Sequence, residues 1–195
     1  MCNEFRFQDS LDEILRAFRE VQIPLDWDGG APNQEPRASI RPTDPAYILT
    51  GHDGTARLSQ MRWGFSSPKG PIINFRTEGR TFSRGRCLVP VDAFFEFTGA
   101  KAPKSKWEFT AADGGFLGLA GYIRDDRFSL LTTTPGPDLA PYHDRQVVIL
   151  PRPQWAQWLD TAMSAPAIDQ TAQGTLKVVQ IRQGLTAGLP PGSTC

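Results

Sequence analysis

Proline and glycine set the first limit on this chain. Seventeen prolines and eighteen glycines are spread along its 195 residues. Residues of this kind arriving every few positions interrupt long helices and favour turns. Short strands joined by loops are therefore expected to outnumber helices. One helix stands out, over residues 10–20. Ser10 is placed to cap it, Glu13 three residues on would complete a capping box, and Leu11, Ile14, Leu15 and Phe18 recur at helical spacing on one face.

The rest of the chain reads as strands and loops. Residues from Asp26 to Pro45 are rich in Gly, Pro and Asp and read as loop. Tyr47–Leu49 and Ala56–Trp63 read as two strands joined at His52-Asp53-Gly54, a turn signal. Ser66 to Arg86 again reads as loop. Cys87–Phe97 is strongly strand-forming. Lys106–Thr110 and Phe116–Ile123 read as a hairpin around Asp113-Gly114-Gly115. Further strands are predicted at Phe128–Thr133, Val147–Leu150 and 176–181, a short helix at Pro153–Leu159, and a loose tail after Gly184. No internal repeat or linker divides the chain, so residues 1–195 read as one domain. The class is α+β: a curved, partly barrel-like, mainly antiparallel β core with a few peripheral helices.

Composition excludes several functions. Apolar residues make up 39% and charged residues 22%, the balance of a globular chain. No apolar run approaches the ~20 residues of a membrane span. The N-terminus carries Glu4 and Asp9 rather than a basic start and an apolar stretch, which reads as cytoplasmic. With 21 basic and 21 acidic side chains the net charge is zero, so any contact with nucleic acid has to use a local patch. Cys2, Cys87 and Cys195 show no metal or disulfide spacing, and His52 and His143 are the only histidines. Neither a metal nor a cofactor is expected.

A few residues carry chemistry. Removal of Met1, usual before a small residue, gives Cys2 a free α-amine and a thiol on adjacent carbons. The reference pKa values of the two groups are about 7.7–8.0 and about 8.5, so both are partly available as nucleophiles near neutral pH. The pair condenses with an aldehyde to an imine and then a thiazolidine. The plainer alternative is that a cysteine follows Met1 by coincidence. Glu96, within Phe94-Phe95-Glu96-Phe97, is either a solvent-facing member of an alternating strand or a buried carboxylate with a raised pKa suited to proton transfer. His143, within Tyr142-His143-Asp144, is either a proton shuttle or a surface histidine beside a carboxylate. Arg76, Arg80, Arg84 and Arg86 crowd one glycine-containing loop and either hold phosphates or are merely solvated. Trp63 is either a platform for a base or a core residue.

The order of these pieces resembles a known family. Met1-Cys2 is followed by Arg62-Trp63-Gly64-Phe65, Asn74-Phe75-Arg76-Thr77-Glu78, and Arg86-Cys87-Leu88-Val89-Pro90 running to Phe95-Glu96-Phe97. Ala120-Gly121, Leu131-Thr132-Thr133 and His143-Asp144-Arg145 complete it. This succession resembles the SOS response-associated peptidase (SRAP) family from Cys2 to about Leu150. The resemblance implies a curved, partly barrel-like core with a positively charged groove. It also implies covalent capture of abasic sites in single-stranded DNA through a thiazolidine on the N-terminal cysteine, with possible autoproteolytic exposure of Cys2 and lyase-like chemistry.

Carried over by motif position, Cys2 is the nucleophile and Asn74 holds the N-terminus or the opened sugar. Glu96 moves protons, and His143 assists as a second acid–base group. Arg76, Trp63, Thr133, Arg86 and Arg145 are the implied DNA contacts. The implied partner is single-stranded DNA bearing an abasic site, met by a monomer that is nucleoid-associated when bound. A non-reactive single-stranded DNA-binding module and a cysteine-type peptidase are the rival readings. Three departures stand out. Glu4 replaces a usual arginine and is expected to weaken DNA affinity. Phe75 replaces a usual small residue, and Gln146-Val147 replaces the usual Met-Pro after His-Asp-Arg.

Overall fold

In the computed structural model, which describes residues 2–8, 10–27 and 36–185, the chain opens with a short strand β1 (Phe5–Phe7) and then the expected helix α1 (Leu11–Glu20). Ser10 caps α1, its Oγ accepting the Glu13 N–H at 3.4 Å. The Glu13 carboxylate lies 3.7 Å from Arg16. Ile14, Ala17 and Phe18 are buried, and the Phe18 ring packs 5.3 Å from Trp155. The amphipathic face thus docks the helix against the body, where its packing, more than its propensity, stabilises it.

The stretch read as loop from Asp26 to Pro45 contains structure. Strand β2 (Leu25–Trp27) ends in it, and β3 (Arg37–Ile40) lies within it; residues 28–35 lie outside the described residues. β3 is short and recruited by β1, a pairing that local sequence does not encode. The hairpin predicted around Asp53-Gly54 is present as β4 (Pro45–His52) and β5 (Thr55–Trp63). Asp53 (φ 47°) and Gly54 (φ 76°) both take left-handed conformations, the pair that a two-residue hairpin turn demands and that Asp-Gly supplies cheaply. The Ser66–Arg86 loop holds one strand, β6 (Asn74–Arg76).

The Cys87–Phe97 segment is two strands rather than one. β7 (Arg86–Val91) and β8 (Ala93–Thr98) belong to different sheets, and the chain changes sheet at Asp92. There the Asp92 N–H donates to Arg6 O, and the Asp92 carboxylate accepts the Gln8 N–H. The predicted hairpin over 106–123 is corrected for the same reason. β9 (Ser105–Ala111) continues the sheet of β8, whereas β10 (Leu117–Arg124) pairs with β7. Alternation and a Gly-rich turn look alike whether a strand folds back or crosses to another sheet. β11 (Arg127–Thr133), α2 (Trp155–Leu159) and β13 (Leu176–Arg182) match the sequence reading. β12 is shorter than expected, Gln146–Val147, with Ile149 making only an isolated bridge to Leu119.

Two sheets result. One runs β13-β9-β8-β1-β3. The other runs β12-β11-β10-β7-β4-β5-β2, with β6 beside β11. A parallel pairing of β11 with β5 closes β5, β4, β7, β10 and β11 into a ring, the partly barrel-like core. Both faces of this ring are buried: one carries Ile48, Trp63, Leu119, Phe128 and Leu130, the other Leu49, Leu58 and Leu88. Cys2 and β1 lie where the second sheet meets this ring.

Candidate active site

Cys2 is 1% exposed. Its thiol donates to the Glu4 carbonyl at 3.4 Å, and its own carbonyl accepts the Asn74 side-chain N–H at 2.8 Å. β1 and β6 are distant in sequence and are brought together around Trp63. The Phe5 ring lies 4.8 Å from the Trp63 ring, and the indole N–H donates to Ile73 O at 2.9 Å, one residue before Asn74. Trp63 is fully buried. It offers no face to a nucleobase, which corrects its expected role: it is the brace between the Cys2 and Asn74 strands.

Burial pushes the Cys2 thiol far above its ordinary value, and the nearby Glu96 charge pushes it the same way. Glu96, 1% exposed, has its carboxyl pushed up by burial to about 7. It sits on β8 because that strand is covered on both faces, so the alternating, solvent-facing alternative does not hold. Its register partner on β9 is Trp107, and Trp107 and Phe109 pack against Tyr142 with ring centroids 4.6 and 5.3 Å apart. These rings lay the 141–145 segment beside Glu96, where the Asp144 charge also raises the Glu96 carboxyl.

His143 follows Tyr142. Burial lowers its pKa, so at neutral pH the ring is neutral, with Nδ1 accepting the Arg145 N–H at 2.9 Å and the proton on Nε2. Once protonated, Nδ1 instead faces the Asp144 carboxylate at 2.8 Å. Further clamps hold this loop. Buried Gln146 accepts the Gly136 N–H at 2.8 Å and donates to Thr171 Oγ1 at 3.0 Å, and Asp138 accepts the N–H groups of Gly174 and Leu176, each at 2.9 Å. Sequence reasoning noted Gln146 only as a departure; its burial shows what the substitution does.

The expected DNA contacts divide. Arg76 is exposed and Thr133 half-buried at the end of β11. Arg86 is 2% exposed and donates to the Asp160 and Met163 carbonyls beneath α2. It anchors the segment after α2, and its position inside a barrel strand denies it phosphate contact. Arg145 is likewise committed, to the Glu78 carboxylate and to Thr132 O at 2.7 Å. Glu4 is corrected as well. It is buried against Lys106 Nζ at 2.8 Å and Ser39 Oγ at 2.9 Å. Burial alone would raise its carboxyl, but Lys106 and Ser39 outweigh it and hold it below the usual range. Its charge is answered inside the protein. A groove of about 650 Å³, lined by Thr77, Arg80, Phe82, Thr133, Met163 and Ile168, runs past the ends of β6 and β11.

A covered cysteine, an amide on its carbonyl, a carboxylate poised near neutrality and a loop-borne histidine form one constellation on one fold. The chain belongs to the SOS response associated peptidase (SRAP) family, whose model matches residues 1–185. Among similar proteins, the abasic site processing protein YoaM of Bacillus subtilis is 26% identical over 85% of this chain and 82% of its own. The abasic site processing protein YoqW of the same organism is 22% identical over 85% and 83%. A phage-related protein of Bordetella bronchiseptica shares the fold, with a TM-score of 0.71 at 20% identity over 93% of this chain and 95% of its own. A protein of Bacteroides thetaiotaomicron does so at 0.68, with 19% identity over 93% and 92%. Among the described residues no helix is long and apolar enough to cross a membrane, and no cluster of side chains has the make-up of a metal site.

Proposed function

We propose that this protein processes abasic sites in single-stranded DNA by covalent capture on Cys2. The observation that carries the reading is the hydrogen bond from Asn74 to the Cys2 carbonyl, made beside a buried carboxyl poised near neutral pH. The relatives named as abasic site processing proteins support the substrate.

The steps balance. Hydrolysis of the Met1–Cys2 peptide bond, by this chain itself or by another peptidase, frees the Cys2 amine. The amine adds to the C1 aldehyde of the ring-opened sugar. Glu96, in its protonated form, gives a proton to the departing hydroxyl, and water leaves as the imine forms. The Cys2 thiol then adds across the C=N bond, its proton passing to the ring nitrogen, to close the thiazolidine with no redox change. Asn74 Oδ1 is buried and takes no hydrogen bond, which leaves it an acceptor for the new amine. His143 Nε2–H is a second donor for the sugar oxygens. Arg76 and Thr133 flank the groove that receives the neighbouring phosphates, and the protein acts as a monomer in the cytoplasm, on DNA.

The test mixes protein of verified N-terminal mass with single-stranded DNA carrying one abasic site. A denaturant-resistant band that requires both Cys2 and the abasic site is expected. Protein with a free Cys2 that gives no such band sinks the covalent reading, and retention of DNA equally by Cys2→Ala favours a non-reactive module.

A further inference from the structure

Three arginines on paired strands line up across one end of the barrel, and a fourth, Arg84, lies in the bend that precedes β7. Arg124 on β10 stands directly opposite Arg127 on β11, and Arg127 is in turn level with Arg62 on β5. The β7–β10 register pairs Arg86 with Tyr122, and the ladder continues past the end of β7, with Gly85 O accepting the Ile123 N–H at 2.6 Å. Arg84 lies beyond Gly85, in a bend where the φ of 65° at Gly85 turns the chain out of the strand. Arg62, Arg84 and Arg124 are exposed and Arg127 is half-buried.

Directly paired like charges on neighbouring strands repel and cost stability, so this row needs an answer. The acidic groups beside it answer only part of the row. Asp126 pairs with Arg127 at 3.8 Å, and among the described residues Arg62 has only the Thr43 carbonyl, at 3.3 Å. Asp44, next to Arg62 across β4, is occupied by the Arg41 N–H at 2.9 Å and by Arg37 at 3.3 Å. Asp125 sits in the exposed turn. Arg124 is moreover held in place, its guanidinium 4.3 Å above the buried Phe65 ring. Stacking fixes a guanidinium while leaving its edge N–H groups free for an oxyanion.

We infer that this row is a second DNA-backbone contact, which takes the phosphates of the strand flanking the abasic nucleotide. The chain carries no net charge, so three arginines in register on neighbouring strands are a local feature rather than a general basicity, even beside Asp125 and Asp126. Arg127 is three residues along β11 from Leu130, the register partner of Asn74. That spacing is about 10 Å along the strand, a few nucleotides of reach. The row lies on the outer face of the ring, since the neighbours Trp63 and Phe128 point inward and are buried. A strand leaving the Asn74 side reaches the row by turning over the free edge of β6. This inference rests on the reading that the site takes DNA, but not on the covalent step.

The test uses the full chain and DNA without abasic sites, read by equilibrium anisotropy. A single-stranded core of about six nucleotides is compared with the same core extended on its 5′ side, on its 3′ side, or by a duplex. One extension is expected to tighten binding by wild type. The Arg62→Gln/Arg124→Gln protein should lose that gain, and its log K against log[salt] slope should be shallower by about 1.4 for two single-strand phosphates. Arg62→Gln/Arg127→Gln, in which neither residue covers a ring, repeats the measurement should loss of Arg124 unsettle Phe65. Equal gains in wild type and variants, or no gain from any extension, overturns the inference. Crosslinking of the unextended abasic oligonucleotide is scored in parallel. A crosslink with no arginine effect removes the row alone. An arginine effect without a crosslink removes the covalent reading alone.

Discussion

The Asn74 side-chain amide grips the carbonyl of Cys2 at 2.8 Å, so Cys2 is fixed by a strand that begins 72 positions later. Removing that donor leaves a buried carbonyl unsatisfied, at a cost of about 1–3 kcal/mol. Asn74→Ala is therefore expected to slow crosslinking about ten- to a hundred-fold while DNA affinity changes little. Single-turnover kinetics at saturating DNA separates the two quantities, and an unchanged rate would remove Asn74 from the site.

Glu96 is expected to govern the pH profile. Its carboxyl is raised by burial from 4.5 to about 7, so the acid form that protonates the leaving hydroxyl is lost above that value. Crosslinking should show an alkaline limb with an inflection near 7 that Glu96→Gln abolishes along with most of the rate. Stability moves in a defined direction too. The folded state holds this proton more tightly than the unfolded state, so stability falls as pH rises from 4.5 to about 7 and is level above. That slope amounts to about 3 kcal/mol. Denaturant titrations should show Glu96→Gln gaining on wild type across that window, and a constant difference between the two proteins would contradict the burial argument.

Glu4 should matter for folding rather than for DNA. Its carboxylate is held by Lys106 and Ser39, and the Lys106 ammonium also lies 3.9 Å from the centre of the Phe95 ring. Truncating one partner of such a pair strands the other. Lys106→Met should cost about 3 kcal/mol above the carboxylate range, and the loss should shrink as pH falls and Glu4 protonates. Glu4→Gln should leave DNA affinity within about twofold of wild type, because the charge it removes is already neutralised locally. A large gain in affinity would restore the view that Glu4 repels DNA.

Gln146→Met tests the loop that carries His143. The exchange keeps the volume but loses the acceptor for Gly136 and the donor to Thr171, a destabilisation of about 1–3 kcal/mol. Hydrogen exchange over 136–146 should speed up, and the crosslinking rate should fall without a change in DNA affinity.

Much of this was legible in the sequence for local reasons. The Ser10 cap and the Leu11–Phe18 face specify α1, and Asp53-Gly54 specifies the β4–β5 turn, because each signal is contained within a few residues. The order of Cys2, Asn74, Glu96 and His143 marked the candidate site for the same reason: motif residues keep their neighbours. Which face a side chain takes is not local. Trp63, Arg86 and Arg145 share motifs with site residues, but the ring buries Trp63, the segment after α2 covers Arg86, and Arg145 is committed to Glu78 and Thr132.

The sequence by itself determined α1, the β4–β5 hairpin, the α+β class and the family, since periodicity, turn chemistry and motif order are properties of the chain read in one dimension. Tertiary structure alone decided three things. It split Cys87–Phe97 between two sheets, it turned Glu4 inward onto Lys106, and it drew Arg62, Arg124 and Arg127 into one row. Each depends on which strands pair across long separations. That choice is fixed by burial of the whole core, not by the residues next to any one position.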